Sequence, residues 1–218
     1  MPDAVIFDLD GVLVDSEQLW NQAREEFTKE SGGRWRPDAT RAMMGMSSPE
    51  WSRYLHDELG VPLDPDEISR DAVGRMEHLY CDRLPLMPGA TDAVRTLSGR
   101  WPLGLASSAN REIIDLVLDL AGWTDAFRAT VSSEEVACGK PAPDVYLEAA
   151  SRVSVGPERC AAVEDSSNGL RSAAAAGTAV IAVPNPHYPP DEDALALATV
   201  TVRTLEELTP EIVKLSRP

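Results

Sequence analysis

Six residues at four places in the chain carry side chains suited to moving a charged group. They are Asp8 with Asp10, Ser107, Lys140, and Glu164 with Asp165. The first pair stands in Ala4-Val5-Ile6-Phe7-Asp8-Leu9-Asp10-Gly11, an apolar run that ends in acid, spacer, acid and glycine. Residues two apart on an extended chain point the same way, so both carboxylates face one side. Held that close, they repel unless a shared proton or a cation intervenes. Mg²⁺, a hard ion that takes one or two carboxylates and keeps its waters for a phosphate, answers that need. An acidic turn after a strand would read the same, and only the rest of the chain separates the two.

The elements that must position these residues follow from the hydrophobic pattern. Ala4 to Phe7 has no polar alternation and reads as a strand buried on both faces, the kind found inside a parallel sheet. From residue 87 onward, strand and helix alternate. Strands are expected near 102–106, 130–131, 160–163, 179–183 and, as a possible edge, 200–202. Helices are expected over about 89–99, 110–121, 143–153 and from Ser166 or Ser167 to Gly177. This rhythm predicts an α/β fold, a doubly wound parallel sheet of Rossmann-like type. Between residues 16 and 86 no strand is visible. Helices are expected over 17–30, 38–44, 48–59 and 65–84, with Ser16 as the first N-cap. The chain therefore divides into a core (1–15 and 87–218) and a helical cap (16–86) inserted after the first strand. In such sheets ligands bind at the carboxyl ends of the strands, so the four polar segments converge on one edge.

The totals exclude several classes. A net charge of −16 over 218 residues argues against nucleic acid or an anionic membrane as partner. Cys81, Cys138 and Cys160 are too few and too scattered for a disulfide or zinc framework, which suits a reducing cytoplasm. No basic leader and no apolar run of spanning length is visible. A cytoplasmic monomer is the expectation. Lysine is rare here, with Lys29, Lys140 and Lys214 the only three among 20 Lys and Arg residues. A lysine framed as Gly139-Lys140-Pro141 thus looks chosen for a compact charge over a forked one.

Taken together, Asp8-Leu9-Asp10-Gly11-Val12, Ser107, Lys140 in Gly-Lys-Pro-Ala-Pro-Asp, and Glu164-Asp165-Ser166 resemble the four motifs of the haloacid dehalogenase superfamily. The helical insert is similar to the small cap of its β-phosphoglucomutase-like branch. The resemblance implies a Mg²⁺-dependent phosphatase acting on a small phosphorylated metabolite through an aspartyl-phosphate. It makes Asp8 the nucleophile and Asp10 the acid and base. Mg²⁺ is held by Asp8, the Asp10 carbonyl and Asp165, with Glu164 a ligand or its supporting neighbour. Lys140, Ser107 and Ser108 grip the phosphate.

The sequence departs from a sugar-phosphate mutase of that branch. Trp20 stands where the mutase has a histidine, and Met76 and Ser48 fall near its phosphate-gripping lysine and arginine. The loop Ser108-Ala109-Asn110 also offers one hydroxyl fewer. These differences favour a hydrolase of sugar or alditol phosphates, with Trp20, Arg53, Arg75 and Asn110 as candidate substrate readers. A mutase stays open as the alternative, since Arg53 or Arg75 could supply a second anion site. A dehalogenase normally lacks an acid at the Asp10 position, and a phosphoacceptor domain leaves the cap without purpose.

Overall fold

The computed structural model describes residues 1–43 and 46–216. In chain order it runs from β1 (Ala4–Phe7) through α1 (Glu17–Glu30), α2 (Ala39–Met43), α3 (Ser48–Asp57) and α4 (Pro65–Asp82) to α5 (Ala90–Ser98). Then follow β2 (Leu103–Ser107), α6 (Arg111–Ala121), β3 (Phe127–Ser132), α7 (Asp144–Val153), β4 (Cys160–Glu164) and α8 (Ser167–Ala175). The chain closes with β5 (Ala179–Ala182), α9 (Glu192–Leu195), β6 (Val200–Thr201) and α10 (Pro210–Leu215). The helix expected over 38–44 is α2, and position 44 lies outside the described residues.

All six strands pair in parallel, in the order β3-β2-β1-β4-β5-β6. The first strand is central, as its unbroken apolar run requires, and all four of its residues are buried. Val5 and Phe7 face one core cluster; Ala4 and Ile6 face the other. Phe7 meets Phe127 edge-on, with ring centroids 6.2 Å apart. Burying a side chain of this size contributes about 1.5–3 kcal/mol, so the middle of the sheet is its most strongly anchored part. The strand order reverses direction between β1 and β4, the place where open α/β sheets leave a crevice. Register puts Phe7 opposite both Leu105 and Val163, so Asp8 and Glu164 emerge side by side at its lip.

After β1 the chain folds into a tight loop in which the Leu13 and Val14 amides bond the Leu9 carbonyl at 2.8 and 3.1 Å. Two strands of chain then join sheet and insert, tied by Asp15 N–H to the Pro85 carbonyl (2.7 Å) and Met87 N–H to the Leu13 carbonyl (2.9 Å). The four insert helices bury one stripe each. Trp20, Ala23 and Phe27 of α1 and Ile68, Ala72, Met76 and Tyr80 of α4 recur at helical spacing. Helix α4 packs on both α1 and α3. Asp64 caps α4, and a Ser47–Glu50 capping box starts α3. Ser16 does not cap α1, as its sequence position suggested; its hydroxyl turns toward Asp10 instead.

Candidate active site

The carboxyl ends of β1 and β4, the loop after β2 and the turn before α7 meet beneath the helical insert. Asp8 follows β1, Glu164 ends β4, and Lys140 arrives from the turn at residues 139–143. All three side chains are nearly sealed from solvent, with the Lys140 and Glu164 side chains only 3% and 0% exposed. The Lys140 ammonium donates to Asp8 Oδ1 at 2.8 Å and to Glu164 Oε1 at 2.6 Å. Tyr146 of α7 donates its phenol to the same Glu164 oxygen at 2.8 Å, and its ring lies 5.2 Å from the ammonium. The other Glu164 oxygen accepts the Asp165 amide at 3.0 Å and the Ser166 amide and hydroxyl at 3.4 Å. With five donors around it, Glu164 is a strut that fixes Lys140 and the turn beyond β4.

The buried carboxylates are uneasy neighbours. Burial pushes Asp8 up to about 8; Lys140 opposes the shift, while Glu164 and Asp10 reinforce it. Burial and the nearby Glu164 and Asp8 charges raise Asp165 well above the usual carboxylate range. Burial works against the Lys140 charge, yet Asp8 and Glu164 overrule it and hold its pKa above the ordinary value. Asp10 is also raised by burial, opposed by Ser16, the Trp20 indole, Arg24 and Lys140. The Ser16 hydroxyl donates to Asp10 Oδ1 at 2.5 Å, which fixes the rotamer of that carboxyl.

One arrangement of these acids fits a cation. Asp8, Glu164 and Asp165 each offer an oxygen within 4.8 Å of the others. Asp165 Oδ1 is buried with no hydrogen-bond partner, although a buried charged oxygen left unpaired is costly. The backbone is shaped around it. Gly11 has φ +80°, and a Cβ there would lie 2.1 Å from Asp165 Oδ2. At Gly169 a Cβ would lie 1.9 Å from the Glu164 carboxyl carbon, so α8 can approach the strut only without a side chain. A hard divalent ion suits an all-oxygen set of this kind.

The cavity between the two parts is small, about 60 Å³, and is lined by Asp8, Asp10, Ser108, Ala109, Lys140 and Asp165 from the core side. Trp20, Arg24, Glu17, Ser48 and Trp51 line it from the insert. Ser107 is fully buried behind the loop, where its hydroxyl accepts the Ala109 amide at 3.0 Å, so Ser108 and Ala109 line the cavity in its place. Asn110 is buried but outside the cavity. It accepts the Ser48 hydroxyl at 2.5 Å and donates to Glu134 at 2.7 Å, thereby pinning α3 to the core.

The two arginines proposed from sequence are elsewhere. Arg53 is exposed on α3. Arg75 pairs with Glu30 at 2.6 Å and lies over Phe27, on the far side of α4 from the cavity. Their helices turn inward the faces that carry Trp51 and Met76, so residues one or two positions away project outward. Three contributors were not foreseen: Arg24, Tyr146 and the hydroxyl of Ser16. For Arg24 a signal existed, because Glu17, Trp20 and Arg24 recur at i, i+3 and i+7 on one face of α1.

A parallel sheet with a buried lysine and an acidic cluster at its crevice, covered by a helical insert, defines an α/β fold of hydrolase type. The model of the haloacid dehalogenase-like hydrolases matches residues 2–177, and the chain belongs to that family. It is 34% identical over 212 residues to hexitol phosphatase B of Escherichia coli (strain K12), covering 94% of each chain. A fructose-1-phosphate phosphatase of the same organism is 30% identical over 175 residues, covering 79% of this chain and 92% of that one. Among solved structures, CbbY from Rhodobacter sphaeroides in complex with phosphate superposes with a TM-score of 0.88 at 27% identity. That match covers 98% of this chain and all of the other, lid helices included. The chain is an enzyme of the hydrolase class. Among the described residues no helix is long and apolar enough to cross a membrane.

Proposed function

We propose that this hydrolase removes phosphate from small sugar or alditol phosphates, with Asp8 as nucleophile and Asp10 as acid and base. The observation that carries the reading is the meeting of Asp8, Asp10, Lys140 and Asp165 in one cavity under the helical insert. The relatives named for hexitol phosphate and fructose 1-phosphate support the substrate class. Mg²⁺ bound at Asp8 and Asp165, with Glu164 behind them, would neutralise the phosphoryl oxygens.

Asp8 attacks phosphorus as the ester P–O bond breaks, and Asp10 gives its proton to the departing alcohol oxygen. A carboxylate is suited to this because it is nucleophilic without an attendant base and forms a labile acyl phosphate. Water then attacks the aspartyl-phosphate, the Asp8–P bond breaks, and Asp10 takes the water's proton. A raised pKa serves both roles of Asp10, and the Ser16 bond keeps its carboxyl turned to the cavity. Lys140 fixes the Asp8 carboxylate and offsets its charge. Ser108 and the adjoining amides receive the phosphate at the start of α6. The segments 13–16 and 84–88 are the hinges about which the insert opens to admit substrate. The three cysteines are free thiols, which supports a reducing, cytoplasmic setting, and the chain is taken to work as a monomer.

The test is phosphate release from hexose, pentose, alditol and nucleoside monophosphates, with Mg²⁺ or with EDTA. Release from sugar or alditol esters that EDTA abolishes is expected. Silence on every ester, or interconversion of glucose phosphates primed by a bisphosphate, would overturn the reading.

A linked prediction concerns stability. Asp8 and Asp165 have folded pKa values raised above about 3.9, the unfolded value. Their contribution to stability is therefore full at acid pH and lost as pH rises through about 8. A cation offsets that loss and competes with protons for the same oxygens. Saturating Mg²⁺ should raise Tm by about 5–10 °C at pH 8.5 and by less than about 2 °C at pH 5.5. Equal shifts at both pH values in thermal melts would refute this coupling.

A further inference from the structure

Arg24 is the one cation the insert contributes to the cavity lining, and the reaction described above does not use it. Its guanidinium lies against two aromatic rings, 4.7 Å from the centroid of Trp20 and 4.7 Å from that of Trp51. The rings are 6.0 Å apart and tilted by 53°, so they form a clamp open on one side. Cation–π contact holds the plane of the group but satisfies none of its N–H donors. Its Nε is buried with no hydrogen-bond partner, and among the described residues Arg24 makes no ion pair. Burial pulls its pKa down to about 10, opposed by Glu17 of the same helix and by Asp10. A half-buried fork of donors held against two rings, its Nε without a protein partner, at the wall opposite Asp8 and Lys140 is built for an acceptor that arrives with the substrate.

Two acceptors fit a guanidinium: a second anionic group or a hydroxyl chain. Charge decides between them. Asp8, Asp10, Glu17 and Asp165 line the cavity against only Lys140 and Arg24. With Asp10 protonated as the acid and a divalent cation bound, the lining stands at about +1, and a phosphate monoester then adds about −1.5 to −2. A further carboxylate or phosphate would enter a small cavity already in negative excess, in a chain of net charge −16. Glu17 points to the same answer, since a further carboxyl group lining the cavity accepts hydrogen bonds from O–H donors. A hydroxyl both accepts from Arg24 and donates to Glu17; an anion repels Glu17.

We infer that Arg24, clamped by Trp20 and Trp51, is the specificity-determining residue that reads the hydroxyl chain of a neutral polyol monophosphate, with Glu17 as the opposing acceptor. This rests on the phosphatase reading and narrows it, excluding bisphosphates and phosphorylated sugar acids as preferred substrates. Because the fork faces the non-reacting end, its loss weighs most on substrates that carry hydroxyls, while its charge near Asp10 touches every ester alike, so the ratio between esters is what reads it.

The experiment compares Arg24→Met and Arg24→Lys with the wild type on sorbitol 6-phosphate, n-hexyl phosphate, 6-phosphogluconate and fructose 1,6-bisphosphate. Arg24→Met is expected to raise KM for sorbitol 6-phosphate about 10- to 100-fold, the loss of bonds to a charged donor. The ratio of kcat/KM on sorbitol 6-phosphate to that on n-hexyl phosphate should fall at least about tenfold, and Arg24→Lys should recover part of the polyol binding. Equal losses on both esters, no loss on either, or a wild-type preference for the sugar acid or the bisphosphate would each overturn the inference. A second arm measures the Kd of sorbitol 6-phosphate by calorimetry in an Asp8→Asn background, with and without Arg24→Met. If the wild type releases no phosphate, this arm decides alone. Binding weakened about tenfold or more by Arg24→Met upholds the inference while the reaction assignment falls, and unchanged binding overturns it.

Discussion

Asp8→Asn is expected to leave a folded protein that releases phosphate at least about 10⁴-fold more slowly than the wild type. The amide keeps the shape of the carboxyl but not its nucleophilicity, so the acyl phosphate cannot form. Two opposing effects keep the fold intact. Lys140 exchanges an ionic partner at 2.8 Å for a neutral one, which weakens that bond. Against this, the variant removes a carboxylate that burial and its acidic neighbours hold up near pH 8, and so relieves Glu164 and Asp165. The net change in Tm should stay within a few degrees, and a thermal melt beside the activity assay separates loss of chemistry from loss of structure. Turnover within about tenfold of the wild type would remove Asp8 as nucleophile. Rapid radiolabelling of wild-type protein by substrate, absent in the variant, is the direct companion measurement.

The convergence behind this prediction was legible in the sequence because its residues lie at or just past strand ends, or in the turn that leads to a helix. Strand ends announce themselves: the apolar run stops, and in a parallel sheet all the stops of one direction lie on one edge. Phe7 beside Leu105 and Val163 is that inference realised in register. The helical insert was legible for the same reason, as a stretch with period near 3.6 and no strand signal. What the pattern does not carry is the rotation of one helix against another. Arg53, Arg75 and Arg24 all stand on amphipathic helices, and a moment alone cannot say which flank of the stripe meets the core. Packing of α4 on α1 and α3 turned Met76 and Trp51 inward and left Arg75 to Glu30 and Arg53 to solvent. Tyr146 is hidden differently. It reads as an ordinary core aromatic of α7, and only the position of Glu164 reveals that its phenol holds a charge network. Ser108 lines the cavity as expected, while Ser107 does not, because its hydroxyl closes its own turn on the Ala109 amide.

Lys140→Met should be the most destabilising single change at the site and nearly as damaging to activity. The ammonium is the only cation in direct contact with Asp8 and Glu164 among the described residues, at 2.8 and 2.6 Å and almost fully buried. Methionine fills the space without the charge, so two carboxylates are left facing each other beside Asp165. Removing one member of a buried ionic network costs about 3–5 kcal/mol, chiefly because the remaining charge is stranded. For a chain of this size that lowers Tm by about 6–20 °C at pH 8. The sign of the pH dependence is fixed by the acids that remain. Already raised with Lys140 present, they rise further without it, and protonation below their folded pKa removes the repulsion. The deficit should therefore shrink markedly at pH 5.5, and Mg²⁺ should restore part of it at pH 8 by supplying the missing charge. Phosphate release should fall about 10²–10³-fold even when the protein is held folded, since a preorganised cation at the transferring group is lost. Lys140→Arg should not rescue either property, because the guanidinium fork is too broad for a site 3% exposed and wedged against Tyr146. A Tm deficit independent of pH would mean that Lys140 acts by packing alone, and full activity in the arginine variant would mean that its charge, and not its compactness, is what the site requires.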